Sequence, residues 1–138
     1  MLSLYMMTNY KSPSQKKGKG IYILEAITSK GPATVTKEEA FEDESENRVN
    51  LRLYIEAVKR INTPSELLLY TDSNYLVSGF MEWSTKWQRN QWTNGKGQEI
   101  KNADLWKEAL ALNRAKGIVL SATTRKHSFS SWMEGELK

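Results

Sequence analysis

The chain has 138 residues, 39% of them hydrophobic and 26% charged, the size and balance of one soluble globular domain spanning residues 1–138. It contains no cysteine and a single histidine, His127, which excludes disulfides, thiolate metal sites and any site built on several histidines. The net charge is +4; "MLSLYMM" is too short for a signal-peptide core, and nothing approaches the roughly 20 apolar residues of a membrane helix. The expectation is a soluble, cytoplasmic protein with no membrane partner, monomeric by default.

Residues 2–7 read as a short strand. "KSPSQKKGKG" (11–20) follows as a loop marked by Ser, Pro and Gly and carrying four lysines. "IYILEAIT" (21–28) has the β-branched and aromatic content of a strand, and "KGPA" turns the chain into a third strand near 33–42. That strand runs into the acidic "KEEAFEDESE" (37–46). A basic loop and an acidic stretch on one small domain suggest a polyanion-binding face with a differently charged back; two solvated surface segments are the plainer alternative.

"SENRVNLRLYIEAVKRI" (45–61) is the clearest helix, with Leu51, Tyr54, Ile55, Val58 and Ile61 at helical spacing and Ser45 as its cap. "ELLLY" (66–70) is continuously apolar, as in a central strand covered on both faces, and places Asp72 at that strand's carboxyl end. Residues 73–88 look helical and 90–101 form a polar loop. Asn102 caps a further helix, "GIVLSATT" (117–124) is the last strand, and "SFSSWMEGELK" forms a short terminal helix. The order is βββ-α-β-α-α-β-α.

"YTDSNY" (70–75), then Trp83, Trp87, Asn90 and Trp92, then "GKGQEIKNADLW" (95–106), together resemble type 1 ribonuclease H. "ENRVNL" (46–51) is similar to that family's first long helix, and His127 follows the last strand where the family carries a mobile histidine. The resemblance implies a ribonuclease H-like α/β fold, a five-stranded mixed sheet flanked by helices. It also implies hydrolysis of the RNA strand of RNA/DNA hybrids with two Mg²⁺ ions. Such ions, roughly 3.5–4 Å apart, clamp the attacking and leaving oxygens and need converging hard oxygen ligands.

Of the family's four carboxylates, Asp72 matches the one on the central strand and Glu134 the one on the last helix, with Glu136 in reserve; these are the implied metal ligands. The other two positions fall on Met7 and Asn50. A thioether is a soft, neutral ligand for which Mg²⁺ has little affinity, and an amide lacks the charge. Site charge drops from about −4 to about −2, against +4 from two ions. Weak or absent Mg²⁺ binding follows, and with it a lapsed role for His127, which reads as a plain surface histidine.

The resemblance still implies nucleic-acid contacts. Trp83, Lys86, Trp87 and Lys96 occupy the segment that holds the DNA strand in the family, as stacking faces and phosphate neutralisers. Trp87 and Trp106 read as core, leaving Trp83 the better contact. Asn9, Ser45, Asn47 and Asn74 match positions that meet RNA 2′-hydroxyls; Lys11, Lys16, Lys17 and Lys19 add positive charge. Arg48 reads as a helix-surface or packing residue. The expectation is a domain that binds RNA/DNA hybrid or a related duplex and is catalytically weak or dead. One rival is an active ribonuclease H with a rearranged metal site, favoured if Glu25 reaches Asp72. Another is a scaffold-only protein-interaction module, favoured if Lys16, Lys17, Lys86 and Lys96 fall on different faces.

Overall fold

A computed structural model of the chain describes residues 1–10 and 17–138. Three antiparallel strands open the fold: β1 (Leu2–Thr8), β2 (Lys17–Thr28) and β3 (Gly31–Glu42). Helix α1 (Glu46–Val58) crosses to β4 (Ser65–Thr71), which lies parallel to β1, and α4 (Ala103–Lys116) leads to β5 (Ile118–Thr123), parallel to β4. Between β4 and α4 run α2 (Asn74–Ser78), a π-helical turn (Gly79–Trp83) and α3 (Ser84–Arg89); α5 (Ser130–Glu136) closes the chain. The sheet order is β3-β2-β1-β4-β5. This is the mixed five-stranded sheet and element order expected from the sequence.

Strand pleating sorts the core into two sides. Leu4, Met6, Leu67 and Leu69 join α1, α4 and Phe80 in the larger cluster, while Tyr5, Ile21 and Ile23 meet Met133 and Leu137 of the terminal segment in the smaller one. Ser45 caps α1 by accepting from the Arg48 N–H at 3.2 Å. Buried Tyr10 fixes the approach to that helix, its hydroxyl bonding the Glu44 carbonyl and accepting from the Glu44 N–H.

The lysine loop is shorter than the sequence suggests. Residues 17–20 belong to β2, so the basic and acidic stretches run side by side: Lys17 sits opposite Glu42, and Lys19, opposite Ala40, reaches diagonally to Glu38. Their ion pairs, at 3.9 and 3.1 Å, set the two charge runs against each other on one hairpin instead of separating them into a basic face and an acidic back. Lys11 and Lys16 lie outside the described residues.

Candidate functional site

The family-like motif of residues 70–106 is largely a brace. Arg48 on α1 donates from both Nη atoms to the Asp104 carboxylate at 2.9 Å, and from Nη1 to Asn102 Oδ1 at 3.3 Å. Asn102 Nδ2 and Trp106 Nε1 both donate to the Tyr75 hydroxyl, at 3.1 and 2.8 Å. Asn102 occupies the amino cap of α4 with a left-handed backbone, but its side chain caps nothing and spans Arg48 and Tyr75 instead. The Arg48 guanidinium holds the Asp104 carboxyl down at about 2. Trp106 is fully buried, and a Cβ at Gly79 would lie 2.2 Å from its ring; no other residue fits position 79 there.

From this brace the Trp83, Trp87, Trp92 and Trp106 rings step outward. Trp87 lies 5.3 Å from Trp106, 5.9 Å from Trp83 and 6.2 Å from Trp92. Trp87 is half-buried against the core, as expected, and Trp83 is 45% exposed. A cleft of about 270 Å³ opens between α3 and the following loop, lined by Trp83, Lys86, Trp87, Asn90, Asn94 and Ile100 among others. The loop reverses direction through left-handed backbone at Gln91 and Trp92, held by Trp92 N–H to the Trp87 carbonyl at 2.8 Å. Lys96 is exposed in the turn that Asn94 Oδ1 secures by accepting from its N–H at 2.8 Å, next to Gly95 of the cleft wall.

The second candidate region lies at the carboxyl ends of the parallel strands. Met6 pairs with Thr71, so the next residues along, Met7 and Asp72, sit side by side where the sheet ends. A small hollow there is lined by both, with Thr124, Arg125, Lys126, His127 and Ser130. Lys126 Nζ reaches Glu134 Oε1 at 2.8 Å. That contact raises the lysine pKa and lowers the glutamate's; Asp72 adds a further upward push on Lys126. Sequence reasoning missed Lys126, because only the fold brings it to both acids. Among the described residues no group of three or more His, Asp or Glu side chains converges in a way that could hold a metal ion.

Asn50 is 2% exposed on α1. Its Nδ2 donates to the Glu46 carbonyl at 3.1 Å, while its Oδ1 has no hydrogen-bond partner among the described residues. An acceptor buried without a donor costs about 1–3 kcal/mol. Glu25 takes no part in the strand-end region. It pairs with Ser3, near the opposite end of β1, and accepts from the Tyr5 hydroxyl at 3.2 Å.

Several expected contact residues have structural duties. Asn9 Nδ2 donates to the Leu137 carbonyl at 2.8 Å and its Oδ1 accepts from the Lys19 N–H at 2.9 Å, tying β1, β2 and the terminal segment together. Ser45 is the helix cap, Asn47 is half-buried and Asn74 is exposed at the start of α2. His127 is no plain surface histidine. Its ring lies 4.5 Å from Tyr5, which stacks on Tyr70 at 5.0 Å, and its Nδ1 accepts from the Phe129 N–H. Burial and then the Lys126 charge lower its pKa, favouring the neutral ring.

A parallel β1-β4-β5 core extended by an antiparallel hairpin, with a tryptophan-lined helical arm beside the strand ends, defines a ribonuclease H-like fold. The chain belongs to the RNase H family, whose pattern it matches over residues 8–128. A ribonuclease H of Geotalea uraniireducens is 40% identical over 72 residues, covering 52% of this chain and 49% of the relative. One from Zymomonas mobilis is 43% identical over 68 residues, covering 49% and 44%. These alignments thus span about half the length of the curated relatives. Among solved structures, LC9-RNase H1, described as a type 1 RNase H with the type 2 active-site motif, superposes with a TM-score of 0.77 at 20% identity, covering 98% of this chain and 69% of that one. The foamy viral protease–reverse transcriptase in complex with RNA/DNA hybrid gives 0.69 at 17% identity, covering 99% and 19%.

Proposed function

We propose that this chain binds RNA/DNA hybrid or a related duplex through its tryptophan-lined arm and hydrolyses it weakly or not at all. The observation that carries the binding is the cleft in which exposed Trp83 lies beside Lys86 and Trp87. Indole faces stack on bases or sugars irrespective of sequence, and lysines neutralise phosphates. The foamy viral enzyme, seen with an RNA/DNA hybrid, lends support through its fold.

The strand ends support the second half of the reading. The residues there do not fit a pair of Mg²⁺ ions. Met7 presents a thioether beside Asp72 and Glu134 already faces an ammonium, while Asn50, where the resemblance implies a further acid, carries a neutral amide. Glu25 offers no substitute, being tied to the far end of the sheet.

The test is fluorescence anisotropy of a labelled hybrid against salt, paired with a denaturing gel of the same hybrid with Mg²⁺ or Mn²⁺. Expected are an affinity that falls steeply with salt, a loss of about 1–3 kcal/mol on Trp83→Ala, and intact RNA. Cleavage that disappears in Asp72→Asn would overturn the loss of hydrolysis. Absence of binding at low salt would leave the scaffold-only reading.

A further inference from the structure

We propose that the outer edge of β3 is a homodimer interface, at which two copies pair antiparallel about Val35 and join their sheets into one. β3 ends the sheet, and among the described residues no segment pairs with its outer side. It is exposed along most of its length, with only Gly31, Glu39 and Phe41 half-buried. Such an edge is a template for another strand unless charge or shape blunts it.

The hairpin geometry says which backbone groups face outward. A two-residue turn at Ser29 and Lys30 joins Thr28 to Gly31, its paired partner. Residues flanking such a turn exchange hydrogen bonds, and the pattern alternates along the strand. Gly31, Ala33, Val35 and Lys37 therefore bond inward to β2, while Pro32, Thr34, Thr36 and Glu38 point outward. Centring the pair on Val35 sets Thr34 opposite the partner's Thr36, in both copies, as hydrogen-bonded pairs. Pro32, with no N–H to give, falls opposite the partner's Glu38 and ends the ladder on each side.

Side-chain pairing favours the same register. No like charges face each other, and Glu38 lies diagonally across from the partner's Lys30, within cross-strand reach. Moving the centre to Thr36 would set Lys37 against Val35, and to Lys37 would oppose two ammonium groups; moving it to Thr34 or Ala33 would set Pro32 against Thr36 or Thr34 and lose bonds. Apolar surface flanks the edge on both faces. Val35, 39% exposed, borders a hollow of about 320 Å³ shared with Leu24 and Ile61, and Thr36 borders one of about 370 Å³ with Ile23, Phe129 and 47%-exposed Trp132. Side chains of an added strand alternate between those two faces. Val35 would meet its own copy on one, while the partner's Thr34 settles beside Thr36 on the other.

The chain lacks cysteine, so single-cysteine variants report the register directly. At a non-hydrogen-bonded antiparallel pair the Cα atoms lie about 4.5 Å apart, within disulfide reach. Under mild oxidation Val35→Cys should form covalent dimer at least tenfold faster than Ile27→Cys, a more exposed residue on the inner strand. Sedimentation over a hundredfold dilution should show a reversible dimer for the unmodified chain. Thr36→Pro, which removes one outward N–H, and Thr34→Lys, which adds charge at the edge, should each weaken it at least tenfold with an unchanged far-UV spectrum. A monomer at every concentration, a dimer indifferent to both edge substitutions, or equal cross-linking of the two cysteine variants would overturn the proposal.

Discussion

Two regions of this molecule differ in how their polar groups are satisfied. In one, Arg48, Tyr75, Asn102, Asp104 and Trp106 interlock so that each polar group has its partner. In the other, at the strand ends, Met7 stands beside Asp72 and Lys126 engages Glu134; on α1, Asn50 keeps a buried oxygen with no donor among the described residues. The brace has the full hydrogen-bond satisfaction of a group that folding requires. The Asn50 oxygen carries a cost that folding alone does not explain. The family scaffold and the residues at its strand ends are thus held by different forces.

Substitutions in the brace should break that contrast most strongly. Trp106→Ala should cost about 3–5 kcal/mol in a urea titration, a large part of the stability of a domain this size. Tyr75→Phe, which strips the acceptor from both Trp106 Nε1 and Asn102 Nδ2, should cost about 1–3 kcal/mol. A neutral result for either would mean that the interlock is incidental. The strand ends offer the opposite experiment. Met7→Asp with Asn50→Glu should lower the melting temperature in chelator, by burying unneutralised charge. Mg²⁺ at ten times its Kd should then return about 1.4 kcal/mol, whereas the unmodified chain should not respond. Equal Mg²⁺ responses would show that the present residues already hold the ion.

The smallest effect concerns His127. Its folded pKa is depressed, so the unfolded chain binds the extra proton more readily. Its contribution is complete above the unfolded value of about 6.5 and is lost as pH falls through the folded value. Stability should decline over that acid range, and His127→Phe should flatten this part of the curve. A slope of opposite sign would mean that the ring is charged in the fold.

What the sequence revealed followed the range of the interactions. Helix α1 was legible from the spacing of Leu51, Tyr54 and Ile55 and from Ser45, all local signals, and the 70–106 motif was legible because its residues are close along the chain. The cross-strand cancellation of Lys17 and Lys19 by Glu42 and Glu38 depends on a hairpin register that composition does not carry. The clamp at Asn9, closed on Leu137, and the approach of Lys126 to Glu134 are likewise products of folding. That Met7 stands where the resemblance implies an acid was readable; that the sheet sets it directly beside Asp72 was visible only in the strand pairing.

The π-helical turn between α2 and α3 governs how the arm is aimed. Ser84 N–H bonds the Gly79 carbonyl, five residues back, so the turn holds one residue more than an α-helix would. Each residue of an α-helix advances about 100° around the axis; everything after the turn is therefore swung by that angle relative to an uninterrupted helix. Tyr75 and Gly79 stay locked to Trp106 ahead of the turn, and Trp83, Lys86 and Trp87 take their bearing at its end or beyond it. The direction of the cleft is thus an arithmetic property of the chain, fixed by how many residues the turn contains more than by which ones they are.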